Sequence, residues 1–278
     1  MRLPRIPRFR HLLAAAGVVF VVAAALCLRI HVRNSVYLLR ATDAIFAAPG
    51  SDEAHAIALA HFVAERADNP VDPDSATFTA RLEHSLPFEL SPVTVLKEGF
   101  AFPNARRYGP CGQLCRTVRA VGELRGIHTR KVLMGTGRLE HAMVAIEVDG
   151  GFRLFDPTFD FYWRNASGHV ATIEEVRADT AIFAQVYRRY PNYPYRLDDA
   201  MYLNWRRLGR AGLWLRRGLE IVLGRERVEQ FDTPMLYDRP WLGYAWCCFT
   251  LAVACLAASL LLTVRARRAA HPVLAAAC

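Results

Sequence analysis

Apolar residues along this chain follow three patterns. Two stretches are unbroken. Leu12 to Leu28 is 17 residues without a charge, and Trp241 to Val264 is 24. Runs of this length and apolarity predict membrane-crossing helices, the first near the lower limit for a span and the second long enough to cross with tilt. Elsewhere the period is helical. Ile57, Leu59, Ala60, Phe62 and Val63 give one side of a helix over Ser51–Arg66, with Ser51 as cap and Asp52 and Glu53 in its first turn. Leu114, Val118, Val121 and Leu124 give a second, opened by Gly109-Pro110 and stopped by Gly126. The third pattern is that of strands. Thr129–Met134 reads as one. Ala142–Val148, opened by His141, reads as the next, turning at Asp149-Gly150 into a return strand Phe152–Phe155 that ends at Asp156.

These elements predict an α+β domain between two transmembrane helices. The expected layout is a basic tail 1–11, a signal anchor 12–32, an extracytoplasmic domain 33–240 with its core at about 51–190, a second span 241–264 and a tail 265–278. Cleavage of the first apolar run is the alternative to an anchor. Ser35–Ala47 reads as a short helix leaving the membrane, Ala76–Leu86 as another helix, and Pro87–Phe102 as extended chain. Thr172–Tyr190 reads as one helix, capped by Thr172 and ended by Pro191. The segment 198–223 mixes Trp205, Leu208, Trp214 and Ile221 with Arg206, Arg207, Arg210, Arg216 and Arg217. That pattern has two readings: a helix lying on an anionic lipid surface, or a basic face packed on the domain. Tyr237, Trp241, Tyr244 and Trp246 form an aromatic belt at the start of the second span.

The candidate chemistry lies where the second helix meets the hairpin. Cys111 falls in the first helical turn, where unpaired N–H groups and the helix dipole favour a thiolate. A two-residue turn at Asp149-Gly150 sets Asp156 opposite Met143, on the face of His141 and one diagonal step from it. A carboxylate there accepts from one imidazole nitrogen and leaves the other for the thiol. Cys111, His141 and Asp156 thus form a candidate nucleophile, base and orienting acid. Cys115, one turn further along the helix, reads as a core residue, with a strained disulfide to Cys111 as the alternative. The aromatic run Phe159–Trp163 reads either as a cleft wall beside Asp156 or as a core edge.

Gly109-x-Cys111, Gly126-Ile127-x-Thr129-Arg130, His141-Ala142-x-Val144 and Asp156-Pro157-Thr158 resemble, in this order, the transglutaminase-like superfamily. The resemblance spans roughly Ala54–Thr158. It implies a papain-like core, with the cysteine helix packed on an antiparallel sheet that carries the histidine and the acid. It also implies acyl transfer on amide or peptide bonds through a thioester, in a superfamily of cross-linking enzymes, peptidases, amidases and inactive relatives. With no amine-binding feature visible, hydrolysis is the simpler outcome. Members often place a tryptophan upstream of the nucleophile to bind the oxyanion, whereas here none precedes Trp163. Asn104, Tyr108 and Gln113 stand as candidates for that role, and a catalytically silent binding or scaffold module of the cell envelope is the alternative function. His128 stands where the family often has proline.

Composition narrows the partners. The formal net charge is +9, and Lys97 and Lys131 are the only lysines among 35 basic residues. The arginine and alanine bias suggests a GC-rich bacterial genome. A basic chain with two apolar runs and no nucleic-acid motif points to an anionic membrane surface, not nucleic acid. Of seven cysteines, Cys27, Cys247, Cys248 and Cys255 fall in apolar runs and Cys278 is terminal. No disulfide framework and no zinc spacing follows. No calcium loop is visible, and no metal or organic cofactor is expected. The expected partners are a protein or peptide substrate and the lipid bilayer. Acid-free basic tails place both termini in the cytoplasm and the domain in the periplasm or outside the cell.

Overall fold

The computed structural model describes residues 6–68, 90–98, 110–135, 140–197, 200–203, 205, 209–234 and 238–275. The expected helix at 76–86 lies outside them. The described residues form an α+β protein with one four-stranded antiparallel sheet in the order β1-β2-β3-β4. The chain divides into two compact units, Met1–Arg33 with Pro240–Cys278, and Asn34–Arg239.

The first unit contains the start of α1 (Ile6–Ala47) and α10 (Pro240–Ala275). Within these helices, Phe9–Ala47 and Pro240–Arg267 are long and apolar enough to cross a membrane. Leu12, Val19, Leu260 and Leu261 stand exposed along them. The two helices approach closely at Gly17, where an added Cβ would fall 2.7 Å from Leu256. Small residues allow this approach where lipid supplies no hydrophobic drive between helices. Ser259 Oγ donates to the Arg10 carbonyl at 2.9 Å. The separate helix expected at Ser35–Ala47 is not separate: α1 runs through it without a break. No proline or glycine occurs between Gly17 and Pro49, so nothing in the sequence interrupts the ladder.

In the second unit, α2 (Asp52–Asp68) is capped by Ser51, whose Oγ accepts from Ala54 N at 3.2 Å. The expected extended segment is corrected at α3 (Pro92–Glu98), which is helical. Buried Ser91 accepts from Thr94 N at 3.4 Å, and Pro92 occupies the first helical position, where its missing N–H is harmless. Next comes α4 (Pro110–Leu124), closed by Gly126 at φ 74° with Ile127 N on Gly122 O at 2.8 Å. Then follow β1 (Thr129–Gly135), β2 (Glu140–Val148), β3 (Gly151–Asp156) and β4 (Phe161–Tyr162). Asp149 and Gly150 both have positive φ, as the tight hairpin turn requires. Val144 pairs with Phe155 and Val148 with Gly151, the register that this two-residue turn dictates.

The sheet is buried on both faces. Ala142, Val144, Ile146, Val148 and Phe155 pack toward Leu59, Val63, Leu114 and Val118 of the helices. Met143, Ala145 and Leu154 pack on the other side with Trp163, Ile173, Val176 and Tyr193. The buried clusters include Leu38 at one end and Leu197 at the other. The single helix expected over Thr172–Tyr190 is three: α5 (Ile173–Ala178), α6 (Thr180–Phe183) and α7 (Gln185–Arg189). Thr172 and Glu175 form a capping box at the start. The break falls at Asp179, whose carboxylate accepts from Ala181 N at 2.8 Å, offering the backbone an alternative to the helical ladder. Two further helices, α8 (Gly209–Leu223) and α9 (Arg225–Glu229), follow.

A buried ionic cluster fixes α4 from behind. Arg119 is fully buried and meets Asp238 at 2.7 Å and Asp232 at 3.0 Å, while Arg116 lies 3.5 Å from Asp238. Burial pushes the Asp238 carboxyl up to about 6 even though Arg119 and Arg116 pull it down. Removing one partner strands the other charge in the interior. Arg119→Met is expected to lower the stability of the full-length protein by about 3–5 kcal/mol, read from denaturant midpoints in detergent. Arg225→Ala, which breaks an exposed pair with Glu229, should leave the midpoint unmoved.

Candidate active site

The hairpin carries two members of the candidate triad. His141, at the start of β2, is 2% exposed, and Asp156, at the end of β3, is fully buried. The imidazole Nε2 and carboxylate Oδ2 are 2.7 Å apart. Asp156 receives two further hydrogen bonds: Tyr193 Oη donates to Oδ2 at 2.8 Å and Thr158 N donates to Oδ1 at 3.1 Å. Both carboxylate oxygens are engaged, which is what a buried carboxylate requires.

The third member arrives from α4. Cys111 is half-buried in the first helical turn, near enough to His141 for the imidazole to act on its thiol. Nε2 belongs to Asp156, so Nδ1 is the nitrogen left for sulfur. Burial works against ionisation of the Cys111 thiol. The His141 hydrogen bond and charge, with the N–H groups of Ala142 and Gly112, outweigh it and hold the thiol below its ordinary value. On His141, burial opposes the imidazolium. The charge and hydrogen bond of Asp156, then those of Cys111, outweigh burial and raise the ring to about 9. Each group favours the charged form of the other, which raises the share of a thiolate–imidazolium pair.

Cys115 is placed differently. It is fully buried and free, and burial pushes its thiol well above the ordinary range. Among the oxyanion candidates, Asn104 and Tyr108 lie outside the described residues. Gln113 is buried, and its Nε2 has no acceptor among the described residues. Two residues along a helix turn about 200° about its axis, so Gln113 leaves the opposite side of α4 from Cys111.

Two tyrosines at the site escaped the sequence reading. Tyr193 holds Asp156, and Tyr195 lies flat on the His141 ring, centroids 4.2 Å apart and planes 14° from parallel. Phe159 meets the same ring edge-on at 5.7 Å. Pro191 and Pro194 bracket Tyr193, with Tyr195 just beyond, and mark only a turn; the signal that was present is the Tyr193-Pro194-Tyr195 spacing itself. The run Phe159–Trp163 divides between its two readings. Phe161 and Tyr162 wall a recess of about 240 Å³ that Asp156 also lines, with His61 and Asp160 across it, paired at 3.0 Å. Trp163 is fully buried core. Lys131 was also missed: it is 3% exposed, with Nζ 3.4 Å from where a Cβ on Gly112 would stand. No group of three or more metal-ligating side chains occurs among the described residues.

Comparison of the chain with family models, with curated proteins and with solved structures finds no match.

The electrostatics set a pH window. His141 carries its charge below about 9 and so supports the thiolate throughout the neutral range. Alkylation of Cys111 by iodoacetamide, followed by peptide mass spectrometry, should reach half its maximal rate at a lower pH than for an ordinary thiol. In His141→Ala the thiol returns toward about 8.5, and the rate at pH 6.5 should fall roughly ten- to a hundredfold. Cys115 should stay unlabelled in both.

Proposed function

We propose that the chain is a membrane-anchored, transglutaminase-like cysteine enzyme acting on amide or peptide bonds, with hydrolysis favoured over transfer to an amine. The observation that carries this reading is the Cys111–His141–Asp156 constellation, with a lowered thiol at a helix start and a raised imidazole backed by a carboxylate. The cysteine helix packed against an antiparallel hairpin supports a papain-like core.

The chemistry follows from these groups. The Cys111 thiolate attacks the carbonyl carbon, and the π electrons move to oxygen. N–H groups at the start of α4 lie on the sulfur's side of the helix and are suited to receive that charge. As the C–N bond breaks, the His141 imidazolium gives its proton to the departing nitrogen, leaving a thioester on sulfur and an amine or ammonia free. Water then attacks the thioester, neutral His141 takes its proton, and the thiolate leaves with a carboxylic acid as product. An amine in place of water gives transfer. Asp156 holds the ring in the tautomer both steps need, and Tyr193 holds Asp156.

Two exposed apolar helices support membrane anchoring. Arginine-rich, acid-free tails favour an inner-membrane protein with both termini in the cytoplasm and the domain in the periplasm or outside the cell. A catalytically silent envelope module is the second reading. It is favoured by Tyr195 covering His141.

Full-length protein in nanodiscs, incubated with casein and a biotinylated amine, separates these outcomes. Ammonia release without biotin incorporation marks hydrolysis, and incorporation marks transfer. Both should vanish in Cys111→Ala and persist in Cys115→Ala. No product over Cys111→Ala, together with ordinary thiol reactivity, leaves the silent module standing. For topology, a reporter fused after Cys278 should behave as cytoplasmic and one inserted at Gly50 as external.

A further inference from the structure

The helix α8 turns its apolar side away from the protein. Ala211, Trp214, Leu215, Gly218, Ile221 and Val222 recur at the helical period and form one stripe. All six are exposed, with Trp214 at 71%, Ile221 at 86% and Val222 at 78%. Its remaining face carries the four positions of the helix that are not exposed: Gly212, Arg216, Leu219 and Glu220. Arg216 Nε donates to Glu220 at 2.7 Å and lies 3.9 Å from Glu229 of α9. The polar pairs therefore serve the packing side, and the stripe stands exposed, without a partner among the described residues. Arg210 and Arg217, both exposed and seven residues apart, line one border of the stripe. The Arg217 guanidinium sits 6.0 Å over the Trp214 ring.

We infer that α8 lies in the headgroup region of an anionic bilayer, with the Trp214–Ile221–Val222 stripe toward the acyl chains and Arg210 and Arg217 on lipid phosphates. An exposed apolar stripe of this size on an otherwise well-buried unit marks an interaction surface. Its chemistry selects lipid. A tryptophan beside arginines matches the interface between acyl chains and charged headgroups. The charge complementarity is with anionic lipid, and two helices of the same chain are apolar and long enough to bring it to a membrane. The stripe's large residues are not packed, whereas Trp205, upstream in the same segment, is buried.

Full-length protein, one chain per nanodisc, tests the inference by quenching of tryptophan with brominated lipid. Of the five tryptophans, Trp163, Trp205 and Trp241 are buried, while Trp214 and Trp246 are exposed. The difference between wild type and Trp214→Phe isolates the α8 signal; Trp246→Phe isolates that of the candidate span. In brominated phosphatidylglycerol discs both signals should be quenched at least twofold, with Trp214 shielded from aqueous acrylamide. The Trp214 quenching should weaken in brominated phosphatidylcholine discs and in Arg210→Gln/Arg217→Gln, with Trp246 unaffected. Quenching of Trp246 alone, with Trp214 open to acrylamide, overturns the inference and leaves membrane anchoring intact. Loss of both signals overturns the two together. Shielding of Trp214 from acrylamide without lipid quenching assigns the stripe to a protein partner and also overturns the inference.

Discussion

An imidazole and a carboxylate buried 2.7 Å apart are expensive to assemble, and the candidate site depends on their being assembled correctly. Neither group adds much stability as a pair, because desolvation offsets most of the attraction. What the pair supplies is geometry. The hairpin register brings both side chains to one face of the sheet, and the two-residue turn at Asp149-Gly150 fixes that register. A slip of one residue would send Asp156 to the opposite face. The other donors to Asp156 come from outside the hairpin: Thr158 from the turn after β3 and Tyr193 from a loop 37 residues away. The loop that carries Tyr193 also lays Tyr195 on His141. Local chain geometry sets the pair, and tertiary packing then locks it.

Helix α4 shows how one element holds two thiols in opposite states. Cys111 and Cys115 are one turn apart on α4. Burial raises both, yet only Cys111 has an imidazole and two backbone N–H groups at its sulfur, and its thiol ends below the ordinary value while that of Cys115 ends well above. The helix itself is clamped from two directions. Leu114, Val118 and Val121 bury its apolar side against the sheet. On the other, Arg116 and Arg119 reach Asp232 and Asp238, on the segment just before the second long helix. The first turn, where the thiol sits, is thereby set by packing and by charge at once.

Much of this was legible in the sequence, and the boundary is physical. Strand alternation has a period of two and a two-residue turn allows one register, so residues 141–156 determine their own pairing. Cap and stop signals around Pro110 and Gly126 placed α4 for the same local reason. Signals failed where local preference and tertiary context compete. Asp179 is compatible with a helix interior or with a cap, and the fold uses it as a cap. Pro92 reads as a break in an extended stretch or as the first residue of a helix, and Ser91 decides for the helix. Tyr193 and Tyr195 act through the path of an aperiodic loop, which no local pattern encodes. Arg116 and Arg119 resemble an ordinary polar face until Asp232 and Asp238, over a hundred residues later, turn that face into an interior.

That last contrast separates what periodicity determines from what it does not. In α4 and α8 alike, apolar residues recur at three- and four-residue steps. In α4 the stripe is covered by the chain's own sheet, and the arginines on the other face find buried acids. In α8 the arrangement is reversed, with ion pairs on the side that meets α9 and the apolar stripe facing out. A period fixes that a helix has two faces; which solvent each face meets depends on what else the chain brings to it. Where the chain brings a sheet, the stripe becomes core. Where the described residues leave the stripe uncovered and arginines border a tryptophan, the hydrophobic effect still acts on it, and the inferred anionic lipid surface would meet both requirements.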